Sequence, residues 1–250
     1  MEVKITVNKN TLIAAPAGEI DHHSAAAVRK QIDDAYEESR CTDIVFDMNR
    51  VEFMDSSGIG VILGRYNRAS EKGGRVYIPA GVYKIYPLFL KSDLVIELAK
   101  DSVLSAYTDR ERFPILPGRI ECQDPEKEYL LGTWEGDPND MFAAIITGIN
   151  VENVVITGQG TIDGNASREN WWNNPKVRRI AWRPRMIFLN HCKNVVLHGI
   201  TVQNSPSWNI HPFFSEDLKF IGISVLGPKD SPNTDGLDPE SCKNVDIIGV

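Results

Sequence analysis

Apolar residues at Val3, Ile5 and Val7 alternate with polar ones, the two-residue period of a β-strand. Residues 8–10 turn the chain, and residues 12–15 return as the second strand of a hairpin that Pro16 and Gly18 bring to an end. Ser24 has the side chain of a helix N-cap. Ala25, Val28, Ile32, Ala35 and Tyr36 follow at helical spacing, with charge on the opposite face. A short apolar strand at 44–46 comes next. A second amphipathic helix carries Ile59, Ile62, Leu63, Tyr66 and Ala69 on one side, and a Gly-Gly turn leads to an apolar strand at 76–78. The order β-β-α-β-α-β predicts an α/β layer structure.

From Gly73 onward the texture changes. Helical periodicity disappears, and short apolar runs at 94–98, 143–146, 154–156, 186–189, 195–197 and 218–221 are separated by Gly, Asn and Pro, which predicts an all-β segment. Four seven-residue stretches align without a gap: ENVVITG at 152–158, KNVVLHG at 193–199, EDLKFIG at 216–222 and KNVDIIG at 243–249. Their spacing suits successive coils of a parallel β-helix, with an insertion or a further coil between the first two. Stacked strands of one motif would bury a continuous core, and the Asn at each turn could ladder with its neighbours. A Greek-key sandwich is the alternative, although its strands need not share a motif.

Composition narrows the function classes. With 42% apolar and 24% charged residues the chain is an ordinary globular one. A net charge of -7, shared by both segments, argues against nucleic acid, which needs a basic face. It leaves room for an anionic sugar held by a local Arg/Lys cluster. No apolar run reaches the roughly 18 residues of a membrane span. The opening MEVKITVNKN lacks the apolar stretch of a secretory signal, so a cytoplasmic location is expected. Cys41, Cys122, Cys192 and Cys242 are far apart, which predicts free thiols, and neither a metal nor a cofactor is expected.

Asp55 or Ser56 opens the second helix, where unpaired backbone N–H groups favour negative charge. The plain reading of DSSG is an N-cap; the other is an anion site prepared for a phosphoserine. GEIDHH at 18–23 and FMDSSGIGVILGRY at 53–66, with the element order between them, resemble the STAS domain of SpoIIAA-type anti-sigma factor antagonists over about residues 3–75. The resemblance implies that Ser56 accepts phosphate. It also implies that Asp21, Asp55 and Ser57 lie at the face meeting a serine kinase or anti-sigma partner, where added negative charge would switch binding. The pattern departs from that family after residue 78, where a further helix, strand and helix would follow.

GGRVYIPAGVY at 73–83, LFLKSDLVIEL at 88–98, GQGTIDG at 158–164, RPRMIFLNHCKNVVLHGITVQNSPSWNIHP at 183–212 and NTDGLD at 233–238 resemble glycoside hydrolase family 28, the polygalacturonases. The resemblance implies a right-handed parallel β-helix and inverting hydrolysis of an α-1,4-galacturonan, with a lean toward exo action. Inversion needs an acid and a base carboxyl about 6.5–9.5 Å apart. By resemblance Asp235, with Asn233 beside it, helps to hold the attacking water. Asp238 falls outside the motif and reads as a solvated or ladder-bonded carboxylate. His211 and Arg183 are candidates for the substrate cleft, with surface packing the plainer reading of Arg183 and Arg185. His198 is expected to face solvent.

These readings divide the chain into a partial α/β STAS-like portion at 1–74 and an incomplete parallel β-helix at 75–250, a mixed fold in a chimeric or fused chain. The family's general-acid motif lies downstream of NTDG and is not met before Val250, so the expectation is a chain inactive as a hydrolase. The segment 58–72 is claimed by both cores. The expected outcome is that the β-helix takes the strand at 76–78, the helix plugs its end, and the STAS sheet is left ragged. Open strand edges would then favour self-association.

Overall fold

The structure is a computed structural model that describes residues 2–48, 50–54, 58, 61–62, 64–65, 75–120 and 129–250, the side chains of residues 53, 54 and 129 aside. The first hairpin pairs β1 (Val3–Asn8) with β2 (Thr11–Ile20) in antiparallel register from Val3↔Pro16 to Asn8↔Thr11. β2 runs through both residues expected to end it. It pairs with β3 (Asp43–Phe46) up to Ala14↔Phe46 and with β4 (Arg50–Met54) from Ala17↔Arg50, so Pro16 falls in the gap between two ladders where no N–H is needed. Gly18, at φ +89°, sits where the register with β4 shifts.

Helix α1 (Ala25–Ser39) buries Val28, Ile32 and Tyr36 in one core with Leu12, Ala14 and Ile44, and the Tyr36 hydroxyl donates to Thr42 O at 2.9 Å. Ser24 occupies the N-cap position but makes no side-chain cap bond. Its hydroxyl donates instead to Glu19 O at 2.9 Å and shares a 2.9 Å bond with Asp21 Oδ1. In the segment between β4 and residue 75, Val61 is buried in this same core, and Arg65 clamps Asp33 of α1 with two bonds of 2.8 Å.

The remainder is a coil of three parallel sheets. The first contains β5 (Arg75–Ile78), β8 (Leu94–Leu98), β17 (Glu152–Gly158), β20 (Lys193–His198), β23 (Glu216–Ile221) and β25 (Lys243–Ile248). The second contains β6 (Gly81–Ile85), β9 (Ser102–Ala106), β18 (Thr161–Asp163), β21 (Thr201–Gln203) and β24 (Ser224–Leu226). The third contains β7 (Leu88–Phe89), β16 (Ile146–Ile149), β19 (Ile187–Asn190) and β22 (Ile210–Phe213). The gapless alignment of the repeats is the observed register: Val154, Val195, Leu218 and Val245 stand in one row, and Ile156, Leu197, Phe220 and Ile247 in another. Leu94, Val154, Val195 and Leu218 are buried on the inside, each worth about 1.5–3 kcal/mol on transfer from water. The turn residues Asn153, Asn194, Asp217 and Asn244 all have positive φ, and Asn194 donates to Asn153 and Asn244 to Asp217 along the ladder. The Gly closing the first repeat is required by space, since a Cβ on Gly158 would lie 1.9 Å from Leu98 O. Because β17 and β20 are direct neighbours, the longer first interval is one coil with an insertion.

An excursion between β9 and β16 carries short antiparallel pairs: β10 (Ile115–Leu116) with β15 (Met141–Phe142), β11 (Arg119–Ile120) with β12 (Tyr129–Leu130), and β13 (Thr133–Trp134) with β14 (Asp137–Pro138). It packs Leu116, Leu131 and Met141 with Phe188 and Phe213, which buries the outer face of the third sheet as well as the inner.

The seam differs from expectation. β5 does not choose between the two cores. One edge pairs with β3 (Ile44↔Val76, Val45↔Tyr77) and the other with β8 (Arg75↔Val95 to Ile78↔Leu98), so one sheet runs from β1 to β25. A strand has two hydrogen-bonding edges, and both partners here are parallel to it. The N-terminal sheet is therefore joined to the coil rather than left ragged. Of the segment expected to plug the coil, most lies outside the described residues. Its Val61 belongs to the N-terminal core, and Ile62 lines a cavity of about 350 Å³ between the two cores, with Phe46, Val76, Ile85 and Leu104.

Candidate functional site

The third sheet sets the site. After β22 the chain returns and bridges it again at Ile210↔Leu237 and Phe213↔Glu240, which puts Asp238 beside His211 on the outward side of that ladder. The NTDG loop precedes this return. Asn209 holds it from below: its backbone N–H donates to Asp235 O at 2.9 Å, and its Nδ2 donates to Thr234 O and Asp235 O at 3.0 and 3.1 Å. Arg183 holds it from the side, with Nη1 donating to Pro206 O (2.6 Å) and Pro232 O (3.0 Å) and Nη2 to Asn233 Oδ1 (2.7 Å). Asp235 and Asn233 line a polar cleft of about 340 Å³ together with Asn209, Lys229, Ser231 and Thr234.

A layer of buried charge lies under that loop. Arg185 is fully buried. It donates from Nη2 to Thr133 O at 2.6 Å and lies over the rings of Trp134 and Trp208 at 5.1 and 4.6 Å. Trp134 in turn stacks on Trp182, with ring centroids 4.5 Å apart, and on Trp208 at 5.7 Å. Burial pulls the Arg185 guanidinium down to about 9, against the pull of Glu240 and Asp238, so it stays charged at neutral pH. Burial brings Arg183 to about 10. His211 is wholly buried, and its Nε2 lies 3.1 Å from Glu240 Oε2. Its pKa is lowered by burial against the opposing bond to Glu240, which favours the neutral imidazole.

Asp238 is the surprise of the site. Burial first, then the charge of Asp235, raises its carboxyl to about 6, and its Oδ2 is sealed from solvent without a hydrogen-bond partner among the described residues. The solvated reading of this side chain is therefore replaced by a protonatable group next to the motif aspartate. The surface reading of Arg183 and Arg185 is likewise replaced, since both are buried. His211, wholly buried, does not line that cleft. His198 is exposed, as expected, and bonds Thr157 Oγ1 at 3.0 Å. Cys41, Cys192 and Cys242 are free thiols.

In the N-terminal part, Asp21 opens the turn between β2 and α1. Its Oδ1 accepts from the backbone N–H groups of His23 (3.1 Å) and Ser24 (2.9 Å). The bonds from Ser24, backbone and hydroxyl, are the main reason its pKa lies below the ordinary value. Asp55, Ser56 and Ser57 lie outside the described residues.

Comparison with known proteins finds two families along the chain. The model of glycosyl hydrolases family 28 matches residues 124–250, and that of the STAS domain matches residues 2–81. A probable polygalacturonase of Vitis vinifera is 34% identical over 180 residues, covering 71% of this chain and 34% of its own length. An anti-sigma F factor antagonist of Paenibacillus polymyxa is 35% identical over 101 residues, covering 36% of this chain and 86% of its own. Among solved structures, a hyperthermoactive exopolygalacturonase from Thermotoga maritima superposes with a TM-score of 0.56 at 26% identity, over 73% of this chain and 46% of that one. The chain thus spans less than half the length of these polygalacturonase relatives, and nearly all of the antagonist. With a β-coil presenting NTDG at one end and a hairpin-helix unit carrying DHH at the other, the chain is a fusion that belongs to glycosyl hydrolases family 28 through residues 124–250 and to the STAS family through residues 2–81.

Proposed function

We propose that the coil is a right-handed parallel β-helix whose cleft takes an α-1,4-galacturonan end-on, as an exo-acting enzyme would. The observation that carries this is the Asp235–Asn233 loop, braced by Arg183 and Asn209 into an open polar cleft beside Lys229. A carboxylate held at that wall can orient a water, and the Lys229 ammonium suits a uronate.

These 250 residues bind the polymer without turning it over. Inversion needs an acid opposite Asp235, about 6.5–9.5 Å away. Among the described residues, the carboxyl that feels the charge of Asp235 is Asp238, raised by burial, while the nearby return strand's Glu240 is taken up by His211. The test is a calorimetric titration with oligogalacturonate alongside reducing-sugar release from polygalacturonate. Binding that Lys229→Ala weakens, with no sugar release, is expected. Release abolished by Asp235→Asn would overturn the absence of turnover, and no binding would overturn the substrate.

A second reading concerns the other module, and the near-complete coverage of an anti-sigma F factor antagonist favours it. Ser56 is a phospho-acceptor whose modification switches the binding of a serine kinase or anti-sigma factor. Incubation with such a kinase and ATP should place one phosphate on Ser56 and none on a Ser56→Ala chain; equal labelling of both would refute it.

A further inference from the structure

The turn between β2 and α1 places three donor groups together, and neither module's function gives a role to two of them, His22 and His23. Asp21, His22 and His23 each offer one ligand atom, and these atoms lie within 4.8 Å of one another. The two imidazole ring centroids are 3.8 Å apart, and both side chains are exposed. We propose that this triad binds a borderline divalent transition-metal ion, of which zinc is the type.

The donor set decides the class. Two imidazoles and a carboxylate suit Zn²⁺, Cu²⁺ or Ni²⁺ and disfavour the hard cations Mg²⁺ and Ca²⁺, which prefer all-oxygen shells. Tetrahedral zinc, with bonds of about 2.0–2.1 Å, sets its ligands about 3.3 Å apart. The ligand atoms therefore have to close by up to about 1.5 Å, within reach of χ rotation in exposed side chains. Asp21 is the fixed ligand. The backbone N–H groups of His23 and Ser24, together with the Ser24 hydroxyl, hold its Oδ1 and orient the carboxylate as an outer shell orients a metal ligand. The positive end of α1 opposes a cation here, and the Asp21 charge offsets it. Affinity is consequently modest, and water completes the coordination.

The test uses the full chain, freed of metal with a chelator and titrated with zinc chloride alone. One ion per chain is expected. His22→Ala and His23→Ala should each weaken binding at least about tenfold, and the double variant should abolish it. Both side chains are exposed, so circular dichroism of the variants should match the parent. With Cu²⁺ as probe, electron paramagnetic resonance should show coupling to two imidazole nitrogens, lost in the double variant. Equal zinc binding by parent and double variant, or no binding together with no nitrogen coupling, would overturn the proposal.

Discussion

Asp238 gives the sharpest prediction, because its environment works against its ionised form. In the fold its carboxyl titrates near 6 instead of 3.8, raised first by burial and then by Asp235. The sign is the reverse of a salt-bridged aspartate. Between these two values the folded chain holds a proton that the unfolded chain has lost, so stability falls as pH rises through this window. Two units at about 1.36 kcal/mol each would give nearly 3 kcal/mol. The side chain is only half buried, and screening on its open side reduces this to about 1.5 kcal/mol. Asp238→Asn removes the ionised form while keeping the shape. It should stabilise the chain by about 1.5 kcal/mol at pH 7.5, or about 3–6 °C in Tm for a chain of this size. The gain should shrink toward zero by pH 4. A thermal-melt series of parent and variant between pH 4 and 8 reads this directly. A variant that is less stable at pH 7.5, or a difference that does not change with pH, would refute the reasoning.

Two further outcomes follow from packing. Arg183→Met leaves the carbonyls of Pro206 and Pro232 without their donor and frees Asn233, so a loss of about 3 kcal/mol in urea unfolding is expected from broken charge-assisted bonds. A loss under about 0.5 kcal/mol, the size of an ordinary surface substitution, would mean the brace is incidental. Val76→Pro removes a ladder donor from the strand between β3 and β8 and leaves its acceptor unpaired, at a cost of about 1–3 kcal/mol. Amide exchange should then accelerate on both sides of the seam, in β2–β3 and in β8–β17; acceleration on one side alone would show that the two parts are held independently.

What was legible in the sequence is what repeats or stays local. The four gapless stretches could be aligned by eye, and that alignment is the ladder, because a parallel coil places equivalent residues one above another. Asp235 and Asn233 stand out in the sequence because the loop that carries them is a contiguous motif. The burial of Asp238, Arg185 and His211 does not. The group that encloses them, Thr133, Trp134 and the excursion on which they ride, is some fifty to a hundred residues away in the chain, and nothing local announces that it folds over the third sheet. Pro16 misled for a related reason: a proline ends a strand only where its N–H would have been bonded, and the place where β2 changes partners is set by β3 and β4. Asp21, His22 and His23 are adjacent in GEIDHH, but only the turn between β2 and α1 brings their ligand atoms within 4.8 Å of one another.

The seam shows how a strand can belong to two structures. The junction looked like a contest because each family's pattern claims the same short run. The contest vanishes once the edges are counted: the N-terminal sheet has a free edge at β3, the coil has one at β8, and both point along the same direction. Joining them through β5 covers two exposed edges with one strand, which is how a sheet avoids unwanted pairing. The link to β3 is only two residues long against four on the coil side, so β5 is held mainly by the coil. Loosening should therefore begin between β3 and β5, where an apolar cavity already separates the two cores. Opening there would bare Ile44 and Val76 together, and filling the cavity, for instance by Val76→Ile, should slow exchange at β3 more than at β8.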